Sequence, residues 1–206
     1  MAGQLVVWHG VDPDRIDAAA VLFGDGRMSA RGTSLTADYA LSYELETVAS
    51  WVTDRIRVRV EARRWWRSLD LRRDGDGRWT ATVAGERDDH LGPAGVLDPA
   101  GLAGALDCDL AFCPLTNTMP VLRHDLVAAG PGTSADFTMA WISVPDLAVH
   151  VSPQTYVTRG PAPDGGAYAD FRSGTFQASL RLDRDGLVID YPGLGVRIDG
   201  VHTEAS

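Results

Sequence analysis

Apolar side chains in this chain recur at every second position, and that period rules out most helical architectures. Residues 55–62 alternate without a fault: Arg55, Arg57, Arg59 and Glu61 on one side, Ile56, Val58, Val60 and Ala62 on the other. Extended backbone sends successive side chains to opposite faces, so this run reads as a β-strand with one dry and one wet face. Residues 67–72 and 78–83 flank Asp74-Gly75-Asp76-Gly77, a hairpin signal. Residues 176–182 and 187–191 flank Asp183-Arg184-Asp185-Gly186 in the same way. Phe137, Met139 and Trp141 alternate up to Pro145-Asp146, and Leu147, Val149 and Val151 resume beyond it, predicting a third hairpin. Tyr43, Leu45 and Thr47 mark an earlier strand, and Leu22–Gly32 has room for one or two more. The best helical segment is short, Pro13–Ala20 after Asp12 as a cap. Gly85–Gly104 and Gly160–Gly166 are rich in Gly, Pro and Asp and read as connections.

Roughly ten or more strands joined by tight turns cannot lie flat in one sheet; such a sheet curls, splits or closes. The expected fold is therefore mainly β: an antiparallel curved sheet forming a barrel or half-barrel, with few short helices. One domain spanning 1–206 is expected, because strand patterns of one kind continue on both sides of each connection. A concave sheet is a natural container for a small or elongated apolar ligand.

Charge and motifs narrow the function. The net charge of −9 opposes nucleic-acid binding, which relies on a surplus of basic side chains. All 19 basic residues are Arg, so lysine Schiff-base chemistry is excluded. Cys108 and Cys113 form no CxxC pair; five residues of strand separate them by about 16 Å, so two reduced thiols are expected rather than a disulfide. The first residues, Met1 to His9, lack a basic stretch followed by a long apolar one. With no signal peptide or transmembrane run, a cytoplasmic location is the expectation. No phosphate-cradling glycine motif, HExxH or GxSxG is present, so neither cofactor nor metal is expected.

The segment Asp107–Arg123, D-C-D-L-A-F-C-P-L-T-N-T-M-P-V-L-R, holds the densest set of polar groups beside a patterned strand. Cys108, Leu110 and Phe112 alternate with Asp107, Asp109 and Ala111, after which Pro114 and Pro120 bound a polar loop carrying Thr116, Asn117 and Thr118. Asp107 and Asp109 share a strand face at about 6.5–7 Å, a spacing that suits a solvated face as well as an acid–base pair. The Arg55, Arg57 and Arg59 row is compatible with an anionic head group or with cross-strand acidic partners. Tyr43, Trp51, Trp141, Tyr156 and Tyr191 lie in or beside strands, where aromatic rings serve a core and a sugar or lipid contact equally.

With these pieces assembled, the chain resembles a bacterial glycolipid-binding family, formerly a domain of unknown function. The resembling residues are Val7-Trp8, Tyr43, Trp51 to Arg55, Asp107 to Leu110, and Pro114 to Pro120 with Arg123. They continue through Trp141 to Pro145, Gln154 to Tyr156, and Gly186 to Leu194. The segments P-L-T-N-T-M-P and Y-P-G-L are the most specific. Where the family has a glutamate after the first strand, this chain offers Asp12, Asp14 or Asp17. The resemblance implies an antiparallel β fold similar to bacterial lipoprotein carriers.

The expected function is non-catalytic binding of an amphiphilic ligand, a glycolipid or fatty acyl compound, in a concave β-sheet cavity. Asp107, Asp109, Thr116, Asn117, Arg123, Gln154 and Tyr156 are expected to address its polar head. Tyr43, Trp51, Arg55, Thr118 and Tyr191 complete the candidate ligand contacts. The alternative is a hydrolase acting on glycosides or esters through the Asp107/Asp109 face.

Overall fold

The structure, a computed structural model, describes residues 2–86 and 90–198, except for the side chain of Ala2. Seven strands form an N-terminal meander: β1 (Ala2–Val11), β2 (Asp14–Gly24), β3 (Arg27–Leu35), β4 (Tyr39–Thr47), β5 (Thr53–Ala62), β6 (Trp66–Arg73) and β7 (Trp79–Gly85). Six more form a C-terminal meander: β10 (Ser134–Ile142), β11 (Ala148–Pro161), β12 (Ala167–Ser173), β13 (Phe176–Leu182), β14 (Val188–Tyr191) and β15 (Gly195–Arg197). The chain between the meanders holds β8 (Gly95–Val96), β9 (Asp107–Leu110), a 3-10 helix (Pro114–Asn117) and α1 (Thr118–Arg123).

All fifteen strands belong to one mostly antiparallel sheet, ordered β7-β6-β5-β4-β3-β2-β1-β15-β14-β13-β12-β11-β10-β9, with β8 beside β11. The first strand thus pairs with the last, at Trp8↔Arg197, His9↔Val196 and Gly10↔Gly195. Only β9 and β8 run parallel to their partners, β10 and β11. Among the described residues the sheet does not close: β7 and β9 form its two ends and do not pair with each other. One corner is tied where the Thr53 amide donates to the Leu106 carbonyl at 3.0 Å and the Cys108 amide to Thr53 Oγ1 at 3.0 Å. Register irregularities at Glu46/Thr47, Thr158/Gly160 and Arg181/Leu182 add the local bend a curved sheet requires.

The concave side is filled by the chain's own connection. Leu102, Ala105, Leu115 and Met119 are fully buried against Leu45, Ile56, Leu69 and Leu71 of the N-terminal meander. Val121 and Leu126 are buried against Tyr156, Leu180, Leu182 and Val188 of the C-terminal one. The Trp8 indole donates to the Val188 carbonyl at 2.8 Å and joins the two halves beneath this plug.

Two expectations are corrected. Pro13–Ala20 is not helical: Pro13 lies in the turn after β1 and the rest belongs to β2, where Arg15, Asp17, Ala19 and Val21 are buried while Ile16 and Leu22 are 47% and 46% exposed. The period is two, but an ion pair occupies the dry face and isoleucine the wet one, which inverts the hydropathy pattern that the alternation rule needs. Residues 114–123 are not an open loop either; Pro114 begins a 3-10 helix, and Pro120 lies in the first turn of α1, where backbone amides have no helical acceptor and proline removes nothing.

A cavity over strands β9 to β12 and β14

One cavity, about 520 Å³, opens where the plug leaves the C-terminal meander uncovered. That volume is within the range of small-molecule sites. Strand β9 contributes Asp109 and Leu110, β10 Trp141, β11 His150, Ser152 and Gln154, and β12 Phe171 and Ser173; Asn117 enters from the 3-10 helix, Phe176 from β13 and Tyr191 from β14. Parallel pairing aligns Trp141 with Asp109, and Trp141 faces His150 across the β10–β11 pair, with ring centroids 5.6 Å apart.

The polar groups converge on Asp109. Thr116 Oγ1 donates to Asp109 Oδ1 at 2.8 Å, and Gln154 Nε2 donates to Asp109 Oδ2 at 2.7 Å. Burial pushes the Asp109 carboxyl up to about 6; these two donors pull it back, and the neighbouring Asp107 adds to the rise. Because Gln154 spends its amide nitrogen on a carboxylate, the other amide atom is necessarily the oxygen. That oxygen, Oε1, is buried and has no hydrogen-bond partner among the described residues. Asn117 accepts from the Tyr156 hydroxyl at 2.7 Å and donates to the Pro114 carbonyl at 3.2 Å. Phe171 packs edge-on against Tyr191 and Tyr156, so the wall holding these groups is itself aromatic.

Asp107 is absent from the cavity wall. Arg123 grips it with both terminal nitrogens, Nη1 to Oδ1 at 2.7 Å, and the carboxylate is 1% exposed. Burial raises its carboxyl while Arg123 opposes the rise. The two aspartates read from the sequence as a possible acid–base pair are thus separated in role: one is saturated by Arg123, the other faces the cavity. Among the described residues no three His, Cys, Asp or Glu side chains gather as a metal-binding set.

The remaining predicted residues are dispersed. Thr116 and Tyr156 stand behind the wall as hydrogen-bond partners, and Thr118 is buried in α1. Tyr43 is buried beside Cys113, across from Gly32, where a Cβ would lie 2.3 Å from its ring. Trp51 stacks edge-on with Phe23 at 6.2 Å, at the far end of the N-terminal meander. Arg55 pairs with Asp70, Arg57 with Glu44 at 2.5 Å, and Arg59 with Glu61 at 2.6 Å, so the arginine row serves cross-strand and neighbouring acids. A broader hollow of about 630 Å³ lies over that outer face, floored by small residues such as Ala18, Gly32 and Ser42; its charges are already paired. Cys108 and Cys113 are free and buried, and burial pushes the Cys113 thiol up to about 12.

Of the three acids that follow β1, Asp12 lines the cavity, Asp14 pairs with His9 on the surface, and Asp17 is bound by the buried Arg15. Arg15 is the residue that sequence reading missed. Its Nη2 donates to the carbonyls of Phe112 at 2.8 Å and Leu194 at 2.9 Å, two cavity-wall residues, while Nε holds Asp17 at 2.9 Å. Phe112 has φ of 65°, a conformation costly for an aromatic residue, and Arg15 sits over its ring at 5.2 Å. The available signal was Arg15 and Asp17 two apart on one strand face.

Residues 5–197 match the sequence model of a family described as "Putative glycolipid-binding". The chain belongs to this family. The family resemblance read from P-L-T-N-T-M-P and Y-P-G-L is therefore met over nearly the whole chain. A crystal structure of a DUF1089 family protein from Pseudomonas aeruginosa is similar at 26% identity and a TM-score of 0.64, covering 88% of this chain and 92% of that one. No curated protein matches. No helix among the described residues is long and apolar enough to cross a membrane.

Proposed function

We propose that the chain binds an amphiphilic small molecule in the 520 Å³ cavity without transforming it. The supporting observation is the pairing of two surfaces in one wall. Asp109, Asn117 and Gln154 supply convergent polar atoms, and Phe112, Trp141, Phe171, Phe176 and Leu194 supply apolar area. The family's description points the same way. A hydrolytic reading draws no support from the Asp107/Asp109 face, since Arg123 occupies Asp107.

Native mass spectrometry of gently purified protein, followed by organic extraction, tests the reading. The expected result is a stoichiometric amphiphile, or its uptake when apo protein meets a lipid mixture. An apo mass that stays unshifted in that mixture sinks the proposal.

A further inference from the structure

The outer face of β15, β1, β2 and β3 carries an apolar surface that the cavity does not use. Leu5, Ile16, Leu22, Leu35, Val196 and Ile198 are each between 41% and 61% exposed. Register joins them into one patch. Val196, His9, Ile16 and Leu35 stand side by side across four strands, and the Ile198 amide donates to the Val7 carbonyl in the next row. Over the length of Gly3 to Gly10, four strands cover roughly 19 by 27 Å, on the order of 500 Å² before side-chain relief. That is near the lower end of what each partner buries in a stable complex. Contiguous exposed apolar surface of this extent marks a contact with another body.

The relief of the patch specifies that body. Each large side chain here has a small one beside it on the neighbouring strand: Leu5 lies across from Ala20, Val7 from Ala18, and Leu22 from Gly3. Leu5, Ala18 and Ala20 all line the 630 Å³ hollow of the outer face. Consider a two-fold axis between two such faces, parallel to the strands and midway between β1 and β2. It sets β1 of each copy over β2 of the other, so that Leu5 enters over Ala20, Val7 over Ala18 and Leu22 over Gly3. Val196 then meets Leu35, apolar on apolar. An axis across the strands, between the rows of Leu5 and Val7, would instead set large on large and small on small.

Other occupants fit less well. Among the described residues no Trp or Tyr shares this face of the four strands, and its arginine, Arg31, is paired with Glu44 at 3.4 Å. The interfacial aromatics and free cations that seat a protein on a bilayer are therefore lacking. The chain beyond Ile198 offers one large apolar side chain, Val201, against the six of the patch.

We infer that this face is the interface of a symmetric dimer, its occupant a second copy of the chain with β1 laid over β2. The hollow and the cavity share no residue, so the dimer stands or falls independently of the amphiphile reading.

Sedimentation equilibrium of the full chain, from low micromolar to near-millimolar concentration, tests it. A patch of this size is expected to give a monomer–dimer equilibrium with a Kd of about 1–100 µM. Leu5→Arg and Ala20→Glu, both at exposed positions, are each expected to weaken the dimer at least about ten-fold with far-UV circular dichroism unchanged. Two-fold symmetry enters each change twice. Mixing the two variants is expected to yield a heterodimer at least about ten-fold tighter than either homodimer, because the introduced charges then face each other once and the second contact is native. A monomer at every concentration overturns the inference; if that monomer co-sediments with phosphatidylcholine vesicles and Leu5→Arg abolishes this, the patch belongs to a bilayer. A dimer that neither substitution weakens overturns this face as the interface. Weakening by both without recovery on mixing overturns the β1-over-β2 arrangement.

Discussion

Two residues carry the site's electrostatics, and each makes a measurable commitment. Asp109 has a folded-state pKa of about 6 against an ordinary 3.8, so the folded chain keeps a proton that the unfolded chain releases as pH rises. Its contribution is therefore greatest below pH 4 and is lost as pH climbs through 6. Burial raises Asp107 and Asp17 too, giving slopes of the same sign that remain when Asp109 is replaced. The stability of Asp109→Asn relative to the parent should then be greater at pH 7 than at pH 4, read from urea midpoints. A difference independent of pH would contradict the assignment. Arg15 commits to Gly10, its cross-strand partner: a Cβ at Gly10 would lie 2.3 Å from Arg15 Cζ and 2.5 Å from its Cγ. Because four protein acceptors hold that guanidinium, it cannot step aside cheaply. Gly10→Ala should cost about 2–3 kcal/mol in urea denaturation.

At the scale of elements, the 3-10 helix and α1 matter most, because they decide how much of the sheet's concavity remains. The Tyr156–Asn117 hydrogen bond ties this plug to β11. Asn117→Ala leaves the buried tyrosine hydroxyl unpaired and should cost about 1–3 kcal/mol. Tyr156→Phe should cost less, and the double variant less than the sum, with a coupling of about 0.5–3 kcal/mol in a double-mutant cycle. Additive costs would mean the bond is not an anchor. The strands were largely legible beforehand: the fault-free alternation of residues 55–62 and the Asp-Gly turns locate β5, β6, β7, β13 and β14 to within a residue or two. The β2 strand was not, because Arg15 and Asp17 sit on its dry face. The 114–123 segment was not legible as helical either, since Pro, Thr and Asn suit turns locally and tertiary burial overrides them.

At the scale of the molecule, the pairing of β1 with β15 makes the two meanders one continuous sheet, and the plug packs on both. We expect residues 1–206 to behave as one cooperative unit. Far-UV circular dichroism and tryptophan fluorescence should give coincident urea transitions, and two separated midpoints would mean that the halves unfold independently. A bound amphiphile at a hundred times its Kd should raise unfolding free energy by about 2.7 kcal/mol.

Sequence alone determined the β class, the main hairpins, the family resemblance and the polar segment at 107–123. Each rests on neighbours within a few residues, where period and turn chemistry act directly. Only the tertiary structure decided which of those polar residues face a cavity. Asp107 and Asp109 are two apart on one strand face, yet Arg123 from α1 saturates the first while Thr116 and Gln154 hold the second toward open space. That difference depends on which side chains arrive from 7 to 45 residues away. Local pattern carries no record of such arrivals, because they are set by how the sheet curves around its plug.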